Sequence, residues 1–266
     1  MRHVWIECNG KAADAQLLRG ALQTPYGHFT TMRVRDGTVR GLDLHLARLD
    51  AATRAMFGSG LDPEPVRRWM RRMAEHSSDC MLRVQVFSRA FDRDAPEREV
   101  EPDVLVSVGP ARSSPPLPPR LRSVTYLRDA PHLKHVGTFG LFHQRRLARM
   151  AGFDDALFVT PDGAIAEASV WNIGFVAGQR VVWPDAPMLE GVTMRLLATG
   201  LDALGIEQGR RRIVRGELAA FDAAFLANAA SGTVAVAAID EVRFAMSRFP
   251  QRLLAAALEH HPWQRI

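Results

Sequence analysis

The chain has 266 residues, 47% of them hydrophobic and 24% charged, with a formal net charge of +5. That length can bury a full core as one large domain or two small ones, and the balance is that of a globular chain. It excludes a disulfide scaffold, because Cys8 and Cys80 are the only cysteines, and a membrane-spanning helix, because no segment approaches roughly 18 uninterrupted apolar residues.

The start, M-R-H-V-W-I-E-C-N-G, lacks the apolar stretch of a secretion signal, and the cysteine usage predicts a reducing, cytoplasmic location. His28 to Val34 alternates and is rich in β-formers, and Asp36-Gly37 supplies a hairpin turn. Leu42 to Phe57 is predicted helical, stopped by Gly58 and Gly60, and Pro63 to Ala74 is a second helix. Cys80 to Phe87 and Val104 to Val108 are predicted strands. Gly109 to Pro119, with five prolines, is denied both helix and sheet and is the expected linker. Beyond it come a strand at Arg122 to Tyr126, a helix at Thr138 to Met150 and a hairpin of Asp155–Val159 with Ile165–Ala168. Another hairpin joins Trp171–Val176 to Arg180–Trp183, and a helix follows over Gly191 to Leu204. A short helix at Leu218–Phe221, strands at Ala223–Ala229, Val234–Ile239 and Glu241–Phe244, and a helix at Arg248–His260 complete the chain. Strands and helices are mixed without regular alternation, so the expected class is α+β rather than a doubly wound sheet. The expected organisation is an N-terminal lobe over residues 1–109, a linker over 110–119 and a C-terminal lobe over 120–266.

The arginine clusters Arg67–Arg72 and Gly209–Arg212 raise the pI, but the first is spaced like a solvated helix face. No nucleic-acid motif accompanies either, so no nucleic-acid partner is expected. No metal motif is present, and no metal is expected. Among 34 Lys and Arg residues only Lys11 and Lys134 are lysines. Lys11 lies in a plausible exposed turn. Lys134 lies in the apolar stretch P-H-L-K-H-V-G-T-F-G-L. It is either a chance survivor in an ion pair or an amine kept for what arginine cannot do, namely lose its proton and form a Schiff base.

Three further features bear on the second alternative. Glu167 ends a strand in A-I-A-E-A-S-V-W-N, as a solvated hairpin edge or as a carboxylate for a protonated ring nitrogen. Gly191-Val192-Thr193 opens a helix, with Thr193 as an ordinary cap or the N–H groups of Val192 and Thr193 as a phosphate seat. Arg48 on the first long helix is a surface cation or a phosphate clamp. An amine, a carboxylate, a helix start and an arginine are together what pyridoxal 5'-phosphate requires.

These residues carry a resemblance. Y-G-H-F-T-T-M-R-V-R-D-G (Tyr26–Gly37), H-L-A-R-L (His45–Leu49), Lys134-His135, the run from Asp154 to Phe175 and L-E-G-V-T-M-R (Leu189–Arg195) occur in the order found in class IV aminotransferases, the fold-type IV pyridoxal-phosphate enzymes. That family includes branched-chain, D-amino-acid and (R)-amine aminotransferases and aminodeoxychorismate lyase. The resemblance implies a two-lobed α+β fold, with a small N-terminal α/β lobe and a larger C-terminal lobe around a barrel-like core, assembled as a homodimer. It implies that Lys134 carries the cofactor and moves a proton, that Glu167 keeps the ring nitrogen protonated, and that Arg48, Val192 and Thr193 hold the phosphate. It places Arg83 and Thr31 in the substrate pocket and Ala230 and Ser231 in a loop that presents backbone donors.

The chain departs from the family pattern at Phe139, where branched-chain members carry a tyrosine, and at His28, Glu190 and Ala229. F-T-T-M-R-V and the missing tyrosine are closest to the lyase. Transamination with amine or amino-acid donors and keto acids is the favoured expectation. Pyruvate elimination to give p-aminobenzoate is its alternative, and a non-catalytic ligand-binding descendant is a third.

Overall fold

A computed structural model describes residues 4–111, 118–245 and 248–266. Most of the expected linker, residues 112–117, lies outside the described residues. The chain forms two compact units. One comprises Met1–Ser113, Leu133–Gly137 and Trp263–Ile266, and the other Ser114–His132 and Thr138–Pro262. Residues 133–137 and 263–266 therefore fold with the first unit although they lie beyond residue 120 in the chain.

The first unit contains β1 (Trp5–Cys8), β2 (Lys11–Ala12), α1 (Ala15–Gln23), β3 (Gly27–Arg35), β4 (Thr38–Arg40), α2 (Leu42–Phe57), α3 (Pro63–Ala74), β5 (Asp79–Phe87) and β6 (Asp103–Pro110). With the C-terminal strand Trp263–Arg265 these make an antiparallel sheet, ordered Trp263–Arg265, β4, β3, β5, β6, β1, β2. The period of two is visible in β3, where His28, Thr30, Met32 and Val34 are buried and Phe29, Thr31 and Arg33 are half-buried. The predicted turn forms at Asp36 and Gly37, with φ of 48° and 70°, and both residues suit that left-handed region. Met32, Val34, Leu49, Met70, Leu82 and Val84 are among the residues of one core cluster.

The second unit contains β7 (Arg120–Thr125), α4 (Phe139–Met150), β8 (Asp155–Val159), β9 (Ile165–Ala168), β10 (Trp171–Ala177), β11 (Arg180–Pro184), α5 (Val192–Ala203), β12 (Gln208–Arg211), a 3₁₀ turn at Arg215–Ala220, β13 (Ala223–Asn228), β14 (Gly232–Ala235), β15 (Ala238–Ile239), β16 (Val242–Arg243) and α6 (Arg248–Glu259). The final strand of the chain, β17, is Trp263–Arg265. The ten-stranded sheet runs β12, β11, β10, β9, β8, β7, β15, β16 and branches at β10, which also pairs with β13, itself paired with β14. Both expected hairpins form, β8 with β9 and β10 with β11. The expected strand Val234–Ile239 is two strands. The chain changes partners at Val236 and Ala237, so β14 pairs with β13 and β15 runs parallel to β7. A Cβ on Gly200 of α5 would stand 2.0 Å from the Ala257 carbonyl oxygen of α6, so close helix approach demands glycine there.

Candidate functional site

In the first unit, β3 positions most of the singled-out side chains. The segment 133–137 lies along its edge. Phe29 N–H donates to the Lys134 carbonyl at 2.9 Å, and Val136 N–H donates to the Gly27 carbonyl at 2.9 Å. Those two bonds fix the lysine backbone, and its Nζ stands 4.9 Å from the centre of the Phe29 ring. Arg83 on β5 lies opposite Thr31, with its guanidinium 3.6 Å from the centre of the same ring and Nη2 donating to Gln85 at 3.1 Å. One phenyl ring thus carries an ammonium and a guanidinium, each attracted to its π density. Burial alone weakens Arg83's hold on its proton, and no described carboxylate pairs with it.

Behind β3, α2 turns His45, Leu49, Ala52, Thr53 and Met56 inward. Its own residues supply no side-chain cap. Gln264 caps it instead, accepting from Leu42 N–H at 2.6 Å. Thr53 donates its hydroxyl hydrogen to the Leu49 carbonyl and so accepts from His28 Nε2 at 3.0 Å. Burial first, and the Arg48 charge second, push His28 down to about 4. His45 is held well below its ordinary value by burial, then by Arg48 and Lys134. Both imidazoles are therefore neutral at neutral pH. His28, a departure from the family pattern, is a buried core group.

In the second unit, Glu167 is buried rather than solvated at a hairpin edge. Its Oε1 accepts from Nη1 of Arg128 at 3.2 Å, and Arg128 is buried as well. On β10, Asn172 lies opposite Glu167 in one direction and opposite Ala227 in the other. The Asn172 amide donates to the Leu189 carbonyl at 2.6 Å and its Oδ1 accepts from Gly191 N–H at 3.0 Å. It thereby ties the start of α5 to the strand that faces Glu167. A Cβ on Gly191 would sit 2.3 Å from that Oδ1, which explains the glycine. Gly191, not Thr193, is the capping residue, and no side chain caps α5. Val192 and Thr193 occupy its first turn, where N–H groups have no intrahelical acceptor and the helix dipole favours an anion.

The expected donor loop is engaged within itself. Ala230 and Ser231 N–H both donate to Asn228 Oδ1, at 3.0 and 2.9 Å. Ser231 Oγ, by contrast, is buried without a hydrogen-bond partner among the described residues. Phe139 opens α4 and is 78% exposed, stacked on His143. Glu190 is exposed and paired with Arg210 at 2.5 Å.

The structure thus groups Lys134, Arg48, Thr31 and Arg83 in the first unit, and Glu167, Val192, Thr193, Ala230 and Ser231 in the second. Arg128 and Asn172 were not singled out from the sequence. A signal for Asn172 existed in the E-x-x-x-x-N run, whereas nothing local marks Arg128. Among the described residues no cluster of three or more His, Cys, Asp or Glu can hold a metal, and no helix is long and apolar enough to cross a membrane.

Comparison with known proteins places this geometry in context. The family model for amino-transferase class IV matches residues 27–239. The aminodeoxychorismate lyase of Bacillus subtilis is 23% identical over 264 residues, which cover 90% of this chain and 88% of that relative. Among solved structures, the branched-chain amino acid aminotransferase of Escherichia coli superposes with a TM-score of 0.83 at 18% identity, covering 94% of this chain and 91% of the other. The PLP-bound form of a hypothetical aminotransferase from Mycobacterium tuberculosis gives 0.80 at 19% identity, covering 96% and 99%. At these identities the structural likeness establishes the two-sheet fold of such enzymes.

Proposed function

The chain belongs to the class IV aminotransferase family and is an enzyme of that family, and from that premise we propose that it uses pyridoxal phosphate to move an amino group between an amine or amino acid and a keto acid. The donor set fits the cofactor. It includes, in the first unit, an amine held in place by backbone bonds and, in the second, a buried carboxylate, a helix start without a side-chain cap and a Ser231 hydroxyl without a hydrogen-bond partner among the described residues. When bound, pyridoxal phosphate supplies an electrophilic carbonyl carbon and a ring that withdraws electrons from the substrate.

The rest of the work falls to this chain's residues. Lys134 Nζ would hold the cofactor and would carry the proton taken from the substrate carbon. Arg48 and the N–H groups of Val192 and Thr193 would bind the phosphate. The Glu167 carboxylate would hold a proton at the ring nitrogen.

Arg83 is the observation that carries the substrate reading. A largely desolvated guanidinium with no carboxylate partner among the described residues, beside the nucleophilic lysine on Phe29, suits a substrate carboxylate, with Thr31 opposite it as a second polar contact. The second reading is lyase chemistry. It is supported by the likeness to the Bacillus subtilis enzyme over most of the chain and by Phe139, which stands where branched-chain members carry a tyrosine.

A panel of amines and amino acids mixed with holoenzyme separates the two readings. Transamination predicts conversion of bound cofactor to its amine form in a single half-reaction, without a second substrate. If no donor does this while aminodeoxychorismate yields pyruvate and p-aminobenzoate, the lyase reading replaces it. Inactivity with both would count against the two readings alike.

The working state proposed is a homodimer in the cytoplasm. On α4, Phe139, Phe142 and Met150 are 78%, 51% and 69% exposed and recur at helical spacing, an apolar stripe of the kind that a second copy covers. Sedimentation is expected to give a dimer, and Phe142→Asp to shift it towards monomer. An active wild-type monomer would refute the assembly.

A further inference from the structure

Arg48 stands one helical turn after His45 on α2, and both reach Thr30 on β3. The Thr30 hydroxyl accepts from Arg48 Nη2 and lies 2.6 Å from His45 Nδ1, with Nη2 3.5 Å from the same ring nitrogen. A threonine hydroxyl owns one hydrogen. With the guanidinium donating into its oxygen, the tautomer of His45 that carries its proton on Nε2 leaves Nδ1 to accept that hydrogen. His45 is completely buried, and Nε2 has no hydrogen-bond partner among the described residues. A leucine or phenylalanine would fill such a place without burying an unmet polar atom. The histidine is thus a poor choice for stability alone, while its Nδ1 performs a specific task, which is to fix the rotor of the hydroxyl that Arg48 engages.

We infer that Thr30 and His45 are positioning residues for Arg48 and together aim its guanidinium at an anionic phosphate ester. Three side chains from two elements act in series. His45 orients the Thr30 hydroxyl, the hydroxyl anchors one Nη of Arg48, and the planar guanidinium is thereby held in one orientation towards the ligand. The arrangement selects the phosphorylated form of the cofactor over its dephosphorylated counterpart. The inference rests on the reading of Arg48 as the phosphate-binding arginine.

The test compares equilibrium binding of pyridoxal phosphate and of unphosphorylated pyridoxal, which share every contact except those to the phosphate. Thr30→Val keeps the shape and removes the hydroxyl. It is expected to weaken pyridoxal phosphate about tenfold while changing pyridoxal less than about twofold, the scale of one hydrogen bond to a charged group. Thr30→Ser is expected to restore the preference, and Thr30→Val added to Arg48→Met to cause no further loss. His45→Asn, which offers an acceptor near the place of Nδ1, is the companion variant should Thr30→Val unfold. It is expected to keep more of the preference than His45→Leu. Retention of the full preference in Thr30→Val, or equal weakening of both ligands, overturns the inference. A wild-type protein that binds both ligands equally overturns instead the reading of Arg48 itself.

Discussion

Lys134→Ala is expected to abolish covalent attachment of pyridoxal phosphate and to slow turnover by about a thousandfold or more, the combined loss of a nucleophile and a proton carrier. The wild-type protein should be yellow, and borohydride should fix the cofactor to it. The variant should release all cofactor on denaturation after the same treatment. The backbone bonds that fix this segment to β3, at the Lys134 carbonyl and the Val136 N–H, remain in the variant. Lys134→Arg should fail as completely as alanine, since a guanidinium keeps its proton and is no nucleophile. Mass spectrometry after reduction reads the result directly. Cofactor fixed to another lysine, with turnover preserved in Lys134→Ala, would remove Lys134 from the reaction.

The sequence was informative where a local physical rule decides the structure. The Asp36-Gly37 turn, the glycine stop after α2 and the two hairpins of the second unit all depend on residues a few positions apart, and they formed where expected. Elements that depend on distant partners were missed. Trp5–Cys8 is too short to display a pattern, and its strand exists because β6 pairs with it. Helix α1 was missed although its apolar residues recur at helical spacing, and in the fold it buries none of them. Trp263–Arg265 and Gln208–Arg211 are strands only through β4 and β11. The same division holds for the site. Lys134 was conspicuous because arginine had replaced nearly every other lysine. The burial of Glu167, the grip of Asn172 on Gly191 and the Asn228 side chain that consumes two backbone donors are tertiary facts. Val234–Ile239 illustrates the limit from the other side, since its composition is uniformly β-forming while its hydrogen bonds change partner midway.

Glu167 is the site residue whose substitution is expected to act on two properties at once. Glu167→Gln replaces a buried carboxylate that pairs with the buried Arg128 guanidinium by a neutral amide of the same shape. Breaking a buried ion pair from one side costs about 3 kcal/mol or more, because the remaining cation stays desolvated with a weaker partner. The same change removes the carboxylate proposed to hold a proton on the ring nitrogen, and turnover should fall by about a hundredfold or more. Loss of activity alone would therefore not tell a chemical role from a structural one. The double variant Glu167→Gln, Arg128→Met separates them. Methionine fills the apolar volume without a charge, so urea denaturation should recover most of the lost stability, as when an ion pair is replaced on both sides. Turnover should stay as low as in Glu167→Gln, because neither the amide nor the thioether carries the carboxylate's charge. If activity returned together with stability, Glu167 would serve only as the counter-ion of Arg128, and the ring nitrogen would have to find its partner elsewhere.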